Sequence, residues 1–226
     1  MILAAGRGER MRPLTDVCPK PLLTVAGKPL IVWHLERLAR AGFSEVVINQ
    51  AHLGEQIEEL LGDGAAWGLR IAWSAEPPGA LETAGGIAQA LPLLGDRPFL
   101  VVNGDIHCDW DRAHAREVLA DDEDAHLVLV PNPPQHPAGD FCFDGAKVRP
   151  GGTAGLPRYT FAGIGVYRPA FFSTVARGSR AALAPLLHAA IGAGRVGGEV
   201  HDGEWTDVGT PQRLAELDAE LRGRGC

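Results

Sequence analysis

The side chains best suited to chemistry are cations and carboxylates set beside glycines. Near the start, Leu3-Ala4-Ala5-Gly6-Arg7-Gly8-Glu9-Arg10-Met11-Arg12 joins small residues and two glycines to fixed positive charge. Such a backbone approaches a ligand closely, and its exposed N–H groups suit phosphate. Arg10 and Arg12 add fork-shaped donors. Lys20 follows between Pro19 and Pro21, which stiffen the backbone and aim the ammonium; it is one of three lysines in 226 residues. Two familiar phosphate loops do not fit: Met11 stands where a dinucleotide fingerprint needs a third glycine, and Gly27-Lys28-Pro29 lacks the Ser/Thr of a P-loop. Taken alone, the loop reads equally well as a surface turn with solvated arginines. Farther on, Asp105 closes the apolar run Val101-Val102-Asn103-Gly104, and Asp207 stands in Trp205-Thr206-Asp207-Val208-Gly209-Thr210. Each by itself is an ordinary turn or N-cap residue. Together at one sheet edge they make a carboxylate pair able to hold Mg²⁺, which keeps its other positions for water and phosphate oxygens.

The elements that must position these groups alternate in type. Ile2 to Ala5 reads as a strand running into the glycine loop. Pro29 to Arg40 has apolar residues at helical spacing and stops at Gly42. Glu45–Asn49 (strand), Leu53–Leu61 (helix), Leu69–Ser74 (strand), Glu82–Leu91 (helix) and Pro98–Asn103 (strand) follow. That order predicts an α/β fold of Rossmann-like, doubly wound type, with a mostly parallel sheet and helices on both faces. Strand ends carrying Asn103 and Asp105 are where such sheets bind ligands. After the strand Ala125–Val130, the Pro- and Gly-rich stretch from Asn132 to Pro157 predicts a small antiparallel insertion. A strand at Tyr159–Tyr167, a helix at Pro185–Ile191, a strand over Val196–Val208 and a helix over Pro211–Leu221 complete one expected domain, residues 1–226.

The run from Leu3 to Leu22, LAAGRGERMRPLTDVCPKPL, resembles the signature of the sugar-phosphate nucleotidyltransferases: Leu-Ala-Ala-Gly, a Gly-x-Gly loop with Arg-Met-x-Pro-Leu-Thr, then Pro-Lys-Pro-Leu. Asn103-Gly104-Asp105, Trp205-Thr206-Asp207-Val208-Gly209-Thr210 and the segment from Glu76 to Gly86, with Glu-x-x-x-x-Leu-Glu-Thr-Ala-Gly, are similar to further motifs of that family. The resemblance implies Mg²⁺-dependent joining of a sugar 1-phosphate to a nucleoside triphosphate, with release of pyrophosphate. It implies that Arg10, Lys20 and Asp105 are catalytic and that Asp105 and Asp207 hold the metal. It places the nucleotide against Leu3, Ala4, Ala5, Gly6, Gly8, Glu9, Arg10, Lys20, Asn103 and Gly85, and the sugar against Glu82, Asp140 and Gly163. A compact core with Gly-Glu-Arg-Met-Arg-Pro, Leu-Glu-Thr-Ala-Gly-Gly and Trp-Thr-Asp-Val-Gly-Thr resembles a uridylyltransferase branch acting on an amino-sugar acid; a mannose 1-phosphate guanylyltransferase and a glucose 1-phosphate thymidylyl- or uridylyltransferase are the alternatives. The Glu-Lys-Pro whose lysine holds the sugar phosphate in many relatives is missing here, with Arg149 and Arg158 as possible substitutes.

Composition narrows the partners. Apolar residues make up 46% and charged residues 22%, with a net charge of −7. That balance argues against a nonspecific nucleic-acid binder, which needs a basic face. No run of 18 apolar residues suggests a membrane span, and the start turns polar too early for a secretory signal. The scattered Cys18, Cys108, Cys142 and Cys226 read as reduced thiols of a cytoplasmic protein, and no histidine spacing suggests zinc. The expected partners are small molecules, the nucleoside triphosphate and the sugar phosphate, handled by a monomer or small homo-oligomer. The acidic run Asp121-Asp122-Glu123-Asp124 reads as a solvated loop. Two rivals stand: a catalytically silent nucleotide-sugar sensor, which would not need the complete cation and carboxylate set, and a nicotinamide-binding oxidoreductase, disfavoured by Met11 and the Pro-Lys-Pro.

Overall fold

The computed structural model describes residues 1–224; Cys226 lies outside the described residues. The chain opens with β1 (Ile2–Leu3), then runs through a long loop to a short hairpin, β2 (Thr24–Val25) and β3 (Lys28–Pro29). Helix α1 (Leu30–Arg40), strand β4 (Glu45–Gln50), helix α2 (Gly54–Leu61), strand β5 (Arg70–Ala75), helix α3 (Glu82–Leu94) and strand β6 (Phe99–Asn103) follow as the alternation predicted. β6, β1, β4 and β5 lie side by side and parallel.

The two faces of this sheet are written in the strand sequences. Ile2, Val46, Ile48, Leu100 and Val102 pack with Ile31, Leu35 and Leu38 of α1 and Ile57 and Leu61 of α2. Their sequence neighbours Met1, Val47, Phe99 and Val101 point the other way, to Ala84, Ile87 and Ala90 of α3. A strand alternates faces every residue, so runs such as Val46-Val47-Ile48 are apolar throughout because both faces are covered. Ile2, Ile48, Ile57 and Ile87 have no exposure, and burying each such side chain stabilises the fold by roughly 1.5–3 kcal/mol.

The second half adds mixed pairing. The short strand β7 (Ile106–Cys108) leaves the sheet, and β8 (Ala125–Val130) returns to it. The predicted insertion contains β9 (Phe141–Phe143) and β10 (Val148–Arg149), antiparallel to each other, and β9 joins the start of β11 (Arg158–Tyr167). β11 lies between β6 and β8, antiparallel to both, with a register shift between Phe161 and Gly165. Helix α4 (Leu183–Gly192) leads to β12 (Val196–Val200), parallel to β8.

Two expectations need correction. The single strand anticipated over 196–208 is two: β12 ends at Val200, and β13 (Trp205–Asp207) pairs with β7 in a separate ribbon. Between them His201–Glu204 carries no strand structure, and Gly203 has no room for a side chain against Asp109 and His201. The acidic run is not wholly solvated either. Glu123 is buried, with Lys147 Nζ at 3.0 Å, so its charge is matched rather than hydrated. Helix α5 (Pro211–Gly223) closes the chain. Its Leu217 and Leu221 pack on Met11, Leu23 and Val25, which fastens the last motif onto the first loop.

Candidate active site

The carboxyl ends of β1, β4 and β6 open on a cleft of about 230 Å³, lined by Leu3, Ala4, Ala5, Gly6, Lys20, Asn103 and Asp105, with Asn49, Glu76 and Glu82 among the remaining walls. Gly104 makes the close approach possible: its N–H donates to Leu3 O at 2.9 Å, and a Cβ would lie 2.6 Å from that oxygen. The first loop therefore rests directly on the Asn103-Gly104-Asp105 turn.

Within the loop, Gly8 adopts φ +68°, where a side chain would be strained. Its carbonyl accepts from Met11 N–H and from Thr15 Oγ1, both at 2.9 Å. Among the described residues, the N–H groups of Gly6, Arg7 and Gly8 meet no intramolecular acceptor; Gly6 and Gly8 line the cavities here, so their donors remain for an anion. Arg7 donates to Thr15 O at 2.6 Å and to Asp16 at 2.9 Å. Arg12 pairs with Asp16 at 2.9 Å. Both hold the loop in shape. Arg10 makes no such pair among the described residues, and it lines a second recess with Gly6, Gly8, Glu9, Lys20, Asp105 and Gly209.

Lys20 is buried to 9% exposure, and its Nζ donates to Asp105 Oδ2 at 2.6 Å. Asp105 remains 39% exposed at its side chain, so one face of this pair is open to a ligand. Asp207 is delivered to the same place by the β7–β13 ribbon. Its register partner is Ile106, and Val208 N–H donates to Asp105 O at 2.8 Å. Asp207 accepts from Gln135 Nε2 at 2.9 Å and from Arg213. Asp105, in the turn before β7, and Asp207, at the end of β13, are hard oxygen donors brought near each other by that ribbon, each balanced by one cation. That donor set fits a divalent metal that keeps water and phosphate ligands.

Arg213, Asn49 and Glu76 were not among the sequence candidates. A Cβ on Gly209 would stand 3.2 Å from an Arg10 terminal nitrogen and would overlap Arg213, so two guanidinium groups flank this glycine. Arg213 owes its place to the helix start: Thr210 caps α5, accepting from Arg213 N–H at 3.3 Å, and Pro211 follows. Asn49 Oδ1 accepts from Ala4 N–H at 2.8 Å, while its Nδ2 donates to Glu76 Oε1 at 2.6 Å. Glu76 Oε2 in turn accepts from Leu81 N–H at 2.7 Å. This chain ties the first loop to the turn before α3, where Ala80 and Glu82 hold φ +55° and +59°. A polar residue at the carboxyl end of an otherwise apolar strand, Asn49, was the available signal.

Other expected contacts lie elsewhere. Gly85 does not line the cleft. Its N–H donates to Ala181 O at 3.0 Å, and a Cβ would come 2.3 Å from Ser179 O, so the glycine serves helix packing. Gly86 is the one facing Glu76 and Asn49. Asp140 also stands off the cleft: it accepts from Phe161 N–H at 2.8 Å and meets His136 at 2.9 Å, fastening the insertion to β11. Gly163, at φ +77°, lets β11 approach Asn103, whose Nδ2 would be 2.6 Å from a Cβ. Glu82 lines the cleft and pairs with Arg180 at 2.8 Å. Arg149 is taken by Asp144 at 2.7 Å.

The model of the Nucleotidyl transferase family matches residues 1–143. A protein of Neisseria meningitidis serogroup B (strain ATCC BAA-335 / MC58) named N-acetylmuramate alpha-1-phosphate uridylyltransferase is 59% identical over 225 residues, 97% of this chain and 96% of its own. A protein of the same name from Caulobacter vibrioides is 38% identical over 98% of this chain and 95% of its own. Among solved structures, a candidate glucose-1-phosphate thymidylyltransferase from Bacillus anthracis, in complex with a sucrose, superposes with a TM-score of 0.84. It is 22% identical and covers 98% of this chain and 94% of its own, a likeness of fold. The signature loop, the sheet that carries it and these relatives agree: the chain belongs to the nucleotidyl transferase family, as a sugar-1-phosphate nucleotidyltransferase.

Proposed function

We propose that the chain works as one catalytic domain and transfers uridylyl from UTP to N-acetylmuramate 1-phosphate, giving UDP-N-acetylmuramate and pyrophosphate, with Mg²⁺ as cofactor. The reading places it in the cytoplasm, in cell-wall recycling. The substrate choice is supported by the 59% identity across nearly the whole of both chains. Among the described residues no helix is long and apolar enough to cross a membrane. The observation that carries the reaction is the Lys20–Asp105 pair at 2.6 Å, set below the free N–H groups of the first loop and beside Asp207.

A sugar 1-phosphate oxygen attacks the α-phosphorus of the triphosphate; the bond from that phosphorus to the bridging oxygen breaks, and pyrophosphate leaves with the electron pair. The nucleophile is already ionised near neutral pH, so no Ser, Cys or His base is needed. Catalysis rests on positioning and charge stabilisation. The loop donors of Gly6 to Gly8 hold phosphate oxygens, and Lys20 and Arg10 supply charge where it accumulates on the leaving group. Asp105 and Asp207 would hold Mg²⁺, which when bound neutralises phosphate charge. With no Glu-Lys-Pro lysine available, Arg213 is the cation best placed to meet the second phosphate, across Gly209 from Arg10.

Pyrophosphate release with Mg²⁺ tests the reading, each nucleoside triphosphate being offered against N-acetylmuramate, N-acetylglucosamine, glucose and mannose 1-phosphates. Release confined to UTP with N-acetylmuramate 1-phosphate is expected. Release with another pair would replace the substrates and keep the chemistry. Nucleotide-sugar binding with no release from any pair would make the protein a sensor.

A further inference from the structure

The walls of the cleft are acidic. Glu76, Glu82 and Asp105 line it, and among the described residues Lys20 is the one cation in the lining. The proposed sugar substrate brings a further negative charge to this place. N-acetylmuramate differs from N-acetylglucosamine by a lactyl ether that ends in a carboxylate. Set unpaired beside Glu82, in a protein of net charge −7, that group is repelled, so it needs a cation of its own. The cations around the phosphates are already engaged. Lys20 faces Asp105 and Arg213 faces Asp207. Arg10 lines the neighbouring recess, and Arg7 and Arg12 are bound to Asp16.

Arg180 has a different setting. Its Nε meets Glu82 Oε1 at 2.8 Å, and its side chain is 71% exposed against 40% for Glu82, so the pair stays open to a ligand. A guanidinium carries five N–H donors in a fixed fork. With Nε turned to Glu82, the donors of the far edge remain for a second carboxylate. The backbone on both sides of Arg180 is fastened to the start of α3. Ala181 N–H donates to Leu81 O at 2.9 Å, and Ala181 O accepts from Gly85 N–H at 3.0 Å. Ser179 O rests where a Cβ on Gly85 would come within 2.3 Å of it. Glu82 itself holds φ +59°, a left-handed conformation that is costly outside glycine and that recurs where a side chain serves a ligand.

We infer that Arg180 recognises the carboxylate of the sugar acid and so selects N-acetylmuramate over neutral amino sugars, an inference that rests on the substrate reading above. Glu82 holds the guanidinium by one edge at the cleft wall, and the lactyl carboxylate takes the other. The arginine then lies between two carboxylates and cancels their repulsion. A sugar without the lactyl group gains nothing from the free edge. The same acidic wall that disfavours an unpaired anion thus becomes a filter for the right one.

Calorimetry on the full chain with Mg²⁺ compares UDP-N-acetylmuramate with UDP-N-acetylglucosamine. The wild type is expected to bind UDP-N-acetylmuramate more tightly. Arg180→Ala should weaken that ligand about tenfold or more and abolish the preference. Arg180→Lys should restore part of it, since the charge returns without the fork. Because the side chain is largely exposed, both variants are expected to fold. The two readings fail separately. A wild-type preference that persists unchanged in Arg180→Ala, or an equal loss of both ligands, would overturn the role of Arg180 alone. A wild type with no preference would overturn the substrate reading and this inference with it.

Discussion

Lys20 is held by Pro19 and Pro21 and by one carboxylate, and its ammonium is nearly buried. Its removal should therefore strip charge from the reacting phosphates and leave Asp105 without its partner. Lys20→Ala and Asp105→Asn are each expected to lower kcat by ~10²-fold or more, about 2.7 kcal/mol of barrier, in pyrophosphate-release assays with correctly folded protein. Arg213 makes a different prediction. If it meets the sugar phosphate, Arg213→Ala raises KM for that substrate about tenfold or more, while KM for the nucleotide changes little. An equal rise in both would place Arg213 on Asp207 alone. The residues carrying these predictions were partly legible in the sequence. Lys20, Asp105 and Asp207 sit in dense motifs; Arg213 and Asn49 do not, and Glu76 opens a motif whose spacing did not show that it meets Asn49.

At the level of elements, the site depends on two loops touching and on one helix start. Gly104 is the contact between the first loop and the β6 turn, where a Cβ would lie 2.6 Å from backbone. Backbone cannot yield as a flexible side chain can, so Gly104→Ala is expected to shift the loop, lowering activity more than ~10-fold and the unfolding midpoint by several degrees. Thr210 caps α5. Thr210→Ala should cost about 1 kcal/mol in chemical denaturation, and it loosens the helix that carries Arg213. Glycines illustrate the limits of motif reading. Gly85 and Gly86 are adjacent in one motif, yet one abuts Ser179 and Ala181 and the other the Asn49–Glu76 pair. Which face a helical glycine shows depends on what packs there.

Across the whole molecule, the histidines behind β7 link stability to acid. His107 has its folded value pushed down to about 4, from an ordinary 6.5, chiefly by burial; His34 is also held well below its ordinary value by burial, with Arg112 and Arg37 adding to it. Between 6.5 and the His107 value of about 4 the unfolded chain takes up protons that the folded protein refuses, so stability falls as pH drops from about 6.5 to 4. Urea midpoints measured across that window should decline, and His107→Gln should make the decline shallower. The sequence by itself determined the alternation of strands and helices, the double-faced apolar strands and the phosphate loop, because periodicity, glycine placement and local motif spacing are properties of neighbouring residues. Only the tertiary structure decided that the stretch 196–208 breaks into two strands serving different sheets, that Glu123 is buried against Lys147, and that Asp140 fastens an insertion instead of lining the cleft. Each of these depends on pairings between segments tens of residues apart, and local propensity carries no information about which distant partner a buried charge or a strand edge will find.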